Sequence, residues 1–220
     1  MKEKEKDKWL HYHLNVDYDN NARYGYYPIF NGKVGQVLQD EKGREYYRRS
    51  PGVRAIIDTG SGLIISKEIR NYLDRKWDYR LPGGKVADTL LEYLIFLKRD
   101  GEDNCGNEPM IRDALIKELE EEVGITFVRY GEGVSLYHLS PSSASVEHDL
   151  YYFLIKKFEK VKSKPEKDEV IKRLELPYRK VWELIQNRRF SEDRTRAVLY
   201  EFLLKEKKQF ILFSGIISFK

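Results

Sequence analysis

The chain has 220 residues, a formal net charge of +4, 41% hydrophobic and 35% charged residues, and a single cysteine, Cys105. This composition excludes a wholly disordered chain, a membrane-spanning bundle, an internal disulfide framework and an all-thiolate metal centre. The cation excess is too slight to mark a nucleic-acid binder, and the length suits one domain with a small appendage.

Residues 1–8 (MKEKEKDK) are charged and lack the apolar core of a signal peptide. With one thiol, this sets the expectation of a reducing, cytoplasmic setting. The first part of the chain is rich in Tyr, Asn and Lys, and Asn20–Asn21, Asn31–Gly32 and Lys42–Gly43 are turn signals. Residues 1–48 therefore read as an N-terminal arm or small antiparallel sheet, and 49–220 as the main domain. Val53–Asp58 and Leu63–Ser66 flank a Thr59-Gly60-Ser61-Gly62 turn and predict a hairpin. Trp77–Leu81 predicts a short strand running into Pro82-Gly83-Gly84. Asp88–Lys98 has helical periodicity, with Asp88 as the expected N-cap. A loop around 100–107 precedes a second helix, Pro109–Val123. Its apolar stripe is Ile111, Ala114, Leu115, Leu119 and Val123, and Gly124 is placed to close it. Strands are expected at 125–130, 134–139, 149–157 and 169–176, then helices at 178–187 and 191–207 with Ser191 as N-cap. The apolar run Phe210–Phe219 is about half the ~20 residues of a spanning helix. It reads as a buried terminal strand, so no membrane partner is expected. The mixed order of elements implies an α/β (α+β) layered domain.

The informative segment is Lys117-Glu118-Leu119-Glu120-Glu121-Glu122-Val123-Gly124-Ile125. Glu118, Glu121 and Glu122 stand at i, i+3 and i+4, so they share one helix face while Leu119 looks away. Like charges at this spacing destabilise a helix, and they occupy its last turn, where the macrodipole favours cations. A hard divalent cation reverses both terms. Carboxylates with a backbone carbonyl and waters are the ligand set that Mg²⁺ or Mn²⁺ prefers. The plain alternative is a solvated, Glu-rich helix in a purely structural domain.

The run Lys117–Ile125 resembles the second half of the Nudix box, Arg-Glu-U-x-Glu-Glu-x-Gly-U with U apolar. Leu81-Pro82-Gly83-Gly84-Lys85-Val86 resembles its opening. A helix and loop inserted around 88–107 separate the two halves. Lys117 stands where the family has arginine, and the box's first glutamate has no exact counterpart, Glu108 and Glu102 being nearest. The resemblance implies the family's α/β/α sandwich around a mixed sheet and a Mg²⁺- or Mn²⁺-dependent hydrolase of nucleoside diphosphate derivatives. Gly83, Glu118, Glu121 and Glu122 then become the expected metal ligands.

Further stretches are similar to the ADP-ribose pyrophosphatase branch: Gly52–Ile57, Leu63–Arg70, Trp77–Gly84, Ser140–Glu147 and Val181–Leu199. From this likeness, Glu147, or Glu169 in the cluster Glu166, Asp168 and Glu169, is expected to activate the attacking water. Arg70 and Arg54 are the expected substrate contacts, because a planar donor fork suits a pyrophosphate. The branch also implies a possible homodimer. The insertion is expected to border the substrate cleft. Tyr26, Tyr27 and Tyr46 are candidates for stacking on a base, while His11, His13, His138, His148 and Cys105 receive no role. A non-catalytic Nudix-like module that senses a nucleotide is the alternative reading, and retention of all three same-face glutamates favours the enzyme.

Overall fold

The computed structural model describes residues 26–70, 75–100, 108–127, 131–141, 145–163 and 170–207. The expected terminal strand, Cys105, His11 and His13 lie outside them. The chain forms two compact units. The first comprises Met1–Gly52, Lys85–Ala114 and Pro141–Leu150, and the second Val53–Gly84, Leu115–Ser140 and Tyr151–Lys220.

In the first unit, β1 (Tyr26–Asn31), β2 (Gly35–Asp40) and β3 (Glu45–Arg49) form an antiparallel meander. The short strand β9 (Val146–Glu147) adds to β3 in parallel, giving a mixed sheet in the order β1-β2-β3-β9. Of the three expected turns, Asn20–Asn21 lies outside the described residues, and those at Asn31–Gly32 and Lys42–Gly43 are observed. At the latter, buried Asp40 accepts the N–H groups of Lys42 and Arg44 at 3.0 and 2.8 Å. The side chain thus folds the backbone over itself.

Helix α1 (Leu90–Asp100) lies in the insertion, where a helix was expected. Its cap is Thr89, not Asp88. Thr89 Oγ1 accepts the Glu92 N–H at 3.2 Å, and Glu92 Oε2 accepts the N–H groups of Thr89 and Asp88 at 3.1 and 2.8 Å. This is a reciprocal Thr-x-x-Glu box, a spacing that Asp88 cannot offer because Leu91 stands three residues on. Asp88 pairs instead with Lys85 at 3.1 Å.

In the second unit, β4 (Gly52–Asp58), β5 (Gly62–Arg70), β6 (Arg75–Arg80), β8 (Val134–Ser140), β10 (Leu150–Ile155) and β12 (Ile171–Pro177) form one sheet. Its order is β12-β5-β4-β10-β8, with β6 beside β5. Every residue of β4 is buried, the charged Arg54 and Asp58 included, as its central place in the sheet requires. The short strands β7 (Ile125–Thr126) and β11 (Glu159–Lys160) pair separately.

Helix α2 (Glu108–Val123) buries the expected stripe and ends at Gly124, whose φ is +62°. A Cβ there would run into the Val161 carbonyl. Arg173 donates to the Val123 carbonyl at 2.9 Å, supplying the last turn with a cation that the helix itself lacks. Helix α3 (Tyr178–Gln186) packs on β5 and β12, and also against α4 (Asp193–Glu206). The expected cap of α4, Ser191, is used elsewhere. Its N–H reaches Asp78 Oδ1 at 3.1 Å and its hydroxyl bonds the other Asp78 oxygen. The helix therefore starts at Asp193, with Glu192 before it.

The four described helices and mixed sheets bear out the α/β (α+β) class. Among the described residues, no helix is long and apolar enough to cross a membrane.

Replacing Thr89 with Ala removes the cap of α1 and is expected to cost about 1 kcal/mol, read as a lowered denaturation midpoint.

Candidate functional site

The Pro82-Gly83-Gly84 turn is fixed to the central strand. Ala55 N–H donates to the Pro82 carbonyl and Val53 N–H to the Gly84 carbonyl, each at 2.9 Å. Gly83 has φ +140°, and a Cβ on it would overlap the Val53 carbonyl. Glycine is therefore required here by both conformation and space. A Cβ on Gly84 would overlap the Glu118 carboxylate. The turn is thus bare backbone pressed between β4 and the acidic face of α2.

From α2, Glu122 Oε2 accepts the Gly83 N–H at 3.0 Å. Glu118, Glu121 and Glu122 are all half-buried, whereas Leu119 is fully buried and Glu120 exposed. The face assignment from the i, i+3, i+4 spacing therefore holds. The three side chains do not all converge, however. Among the described residues, no three acidic, histidine or cysteine side chains form a ready-made metal cage. The reason is helical geometry: at about 100° per residue, Glu118 and Glu122 differ by about 40° and meet at the turn. Glu121 is offset from both.

The Glu118–Glu122 pair is electrostatically uncomfortable. Burial, then the charge of Glu118, with a contribution from Glu68, pushes the Glu122 carboxyl up from 4.5 to about 8. The Gly83 N–H and Arg54 pull the other way without prevailing. Two carboxylates beside backbone amides form an all-oxygen donor set, which suits Mg²⁺ or Mn²⁺. Mg²⁺ is held by one or two carboxylates, with the rest of its shell left to water and phosphates. The residues present therefore fit the expected ion.

Beneath the pair runs a network that the sequence reading missed. Arg54 is only 6% exposed. It holds Glu192 through Nε at 3.1 Å and Nη2 at 3.4 Å, and donates to the Val53 and Gly84 carbonyls at 2.8 and 3.4 Å. Its guanidinium thus engages the protein interior and the glycine turn. Glu192 also accepts from Thr195 at 2.6 Å and faces Arg80 at 3.8 Å. Arg80 in turn pairs with Glu68 at 3.0 Å. Burial opposes the charge on Glu192, but Arg54, Thr195 and Arg80 outweigh it and hold the carboxyl at about 2. The only signal for Glu192 in the sequence is an acid at the start of a closing helix, which reads equally well as a helix-dipole partner.

Glu147 belongs to the first unit, on β9. Its Oε2 accepts from the Tyr46 hydroxyl at 3.0 Å and from Arg48 Nε at 3.3 Å, and its Oε1 from the Tyr93 hydroxyl at 3.5 Å. Tyr93 comes from α1, so the inserted helix touches a predicted site residue. Tyr46 also packs its ring against Tyr26, with centroids 5.8 Å apart. Arg70 ends β5. Glu166, Asp168, Glu169 and Glu102 lie outside the described residues. Glu108 opens α2. His148 is packed against the Ser50 carbonyl through Nδ1 at 2.9 Å, and His138 against the Tyr152 ring.

Two outcomes follow from these charges. An acid whose pKa is raised on folding binds its proton more tightly in the folded chain. In chelator, stability should therefore fall as pH rises from 4.5 to about 8 and flatten above, and Glu122→Gln should remove that slope. Thermal melts across pH measure both. Replacing Glu192 with Ala strands the buried Arg54 charge and should cost about 3–5 kcal/mol in urea unfolding.

No family model and no curated protein matches the sequence. Solved structures do match. One titled as an ADP compounds hydrolase aligns over 87% of this chain and 94% of its own, at 16% identity and a TM-score of 0.55. A structure of MutT, from work on Aliivibrio salmonicida and Vibrio cholerae, aligns over 70% of this chain and 99% of its own. Its identity is 20% and its TM-score 0.42. With the glycine turn, the acidic helix and the likeness to the first of these structures together, the fold of the chain is the Nudix fold.

Proposed function

We propose that the protein is a Nudix-type hydrolase that cleaves the pyrophosphate of a nucleoside diphosphate derivative with the help of Mg²⁺ or Mn²⁺. The observation that carries this reading is the seating of Glu118 and Glu122 against the Gly83–Gly84 turn. That arrangement sets two carboxyl groups side by side, with Glu122 raised to about 8. A folded protein retains such an arrangement at a cost, and perturbed carboxylates of this kind cluster at functional sites. The similarity to a structure titled as an ADP compounds hydrolase supports ADP-ribose or a related nucleotide sugar as the substrate class.

Glu118 and Glu122 would hold the ion, with the Gly83 carbonyl as a further ligand and Glu121, offset from the pair, acting through a coordinated water. When bound, the ion neutralises charge on the phosphates and lowers the pKa of a coordinated water. Gly83, fixed by β4 and by Glu122, holds the turn in place. Arg54 anchors the Gly84 carbonyl from below and keeps Glu192 charged. Glu147, whose carboxylate is held by Tyr46, Arg48 and Tyr93, is our candidate for the general base, with Glu169 the other. Arg70 is proposed to engage the pyrophosphate. Attack at one phosphorus splits the anhydride into two phosphate-bearing products. From ADP-ribose these are AMP and ribose 5-phosphate.

A phosphate-release screen of ADP-ribose, nucleotide sugars and dinucleotides, with Mg²⁺ and then with chelator, tests the reading. Turnover should depend on the cation. Glu122→Gln should lower kcat by about a hundredfold or more, consistent with the several kcal/mol a metal ion supplies. Glu147→Gln should lower kcat by about 10²–10⁴ at an unchanged KM if it is the base. Ligand that binds but is never consumed would identify a nucleotide sensor instead, and near-normal turnover by Glu122→Gln would end the metal assignment.

A further inference from the structure

The second unit holds a cavity of about 420 Å³ that takes no residue from the glutamate pair. Lys156 and Lys157 just after β10, Lys160 from β11, Arg173 from β12, and the ring of Phe158 line it, with Asp58 and Glu175. The cations and anions are not balanced there. Asp58 is already consumed: it is buried, and it pairs with Lys207 Nζ at 2.8 Å, accepts the Gly60 N–H at 2.9 Å and bonds the Tyr178 hydroxyl. Lys156 has a distant partner in Glu206 at 3.8 Å. Among the described residues, no carboxylate forms an ion pair with Lys157, Lys160 or Arg173.

Arg173 is the informative member. It is half-buried, and its guanidinium donates from Nη1 to the Val123 carbonyl. That bond fixes the fork at the cavity wall while leaving further donor positions. A half-buried planar fork with donor positions to spare suits phosphate oxygens. Lysines supply further positive charge from the single stretch 156–160. Their stems are held in part: Lys157 packs its Cβ and Cγ against Gly133, where a Cβ would overlap them.

We propose that this cavity binds a phosphate-bearing small anion, at a site separate from the glutamate pair. The site carries excess positive charge contributed by separate stretches of chain around one volume, and that is what distinguishes it from scattered surface lysines. The half-buried Phe158 forms an apolar wall beside the charges, so a nucleoside diphosphate should bind more tightly than inorganic pyrophosphate.

Calorimetric titration of the full chain with inorganic pyrophosphate and with ADP, in chelator, tests this. Saturable binding with a Kd below about 1 mM, weakening as salt is raised, is expected. Lys157→Glu with Lys160→Glu should weaken it at least tenfold, and Arg173→Gln should do the same. The lysine variants alter exposed side chains, so an unchanged melting temperature will show that they fold. Glu122→Gln should bind as the wild type does, which separates this site from the proposed active site. Absence of saturable binding, equal binding by the lysine variants, or loss of binding in Glu122→Gln would each overturn the proposal. Failure of the hydrolase reading alone would leave the titration unchanged.

Discussion

The second unit is organised by one contact: a turn of two glycines held flat against a central strand, with the carboxylates of an adjacent helix resting on its other side. Neither partner tolerates a side chain between them. Gly83 is closed off by the Val53 carbonyl and Gly84 by Glu118. The hydrogen bond from Gly83 N–H to Glu122 then ties helix to turn. This contact places two negative side chains at the closed end of a helix, where the dipole is also negative. The local cost is high, and its sign is the one that a bound divalent cation reverses.

The ionic network below the turn explains how such a charge density stays folded. Glu122, Arg54, Glu192, Arg80 and Glu68 alternate in sign across α2, β4, the start of α4, β6 and β5. Each buried charge has a neighbour of opposite sign, and Thr195 and the Gly84 carbonyl take further hydrogen-bonding capacity. Such networks are not strong sources of stability, because desolvation cancels most of the attraction. They do fix geometry. Arg54 can reach both Glu192 and the Gly84 carbonyl only if the glycine turn, β4 and the α4 end are in register.

Much of this was legible in the sequence, for identifiable reasons. Two β-rich runs around a Gly-containing turn marked the hairpin at Asp58–Gly62, and period-3.6 patterns marked the helices, because burial of one helix face dictates that period. The spacing of Glu118, Glu121 and Glu122 correctly gave one shared face. What it could not give was convergence, since a common face is broader than the gap between two carboxylates. Asp88 and Ser191 illustrate a second limit. Each is a good cap by residue type, yet a glutamate three residues past Thr89 and an aspartate on β6 decided otherwise. Arg54 shows a third. Its residue type suited a pyrophosphate, and only a distant partner, Glu192, reveals its place in the interior. Long-range pairings of this kind leave no local pattern.

The separation of the two halves of the motif is informative about what the motif needs. Residues 85–114, including α1, belong to the other compact unit, yet Gly83 still meets Glu122. Sequence proximity is therefore not what assembles the site. The turn is placed by β4 through the Pro82 and Gly84 carbonyls, and the helix by its buried stripe of Leu115, Leu119 and Val123. Each half is anchored on its own, so the connection between them is free to lengthen, and the entropic cost of a longer loop grows only logarithmically. The inserted segment has in turn acquired contacts of its own, a capped helix whose Tyr93 hydroxyl reaches Glu147. An insertion that merely looped out would have no reason to bury that tyrosine to 1% exposure. Its burial indicates that the insertion is an integral part of the first unit.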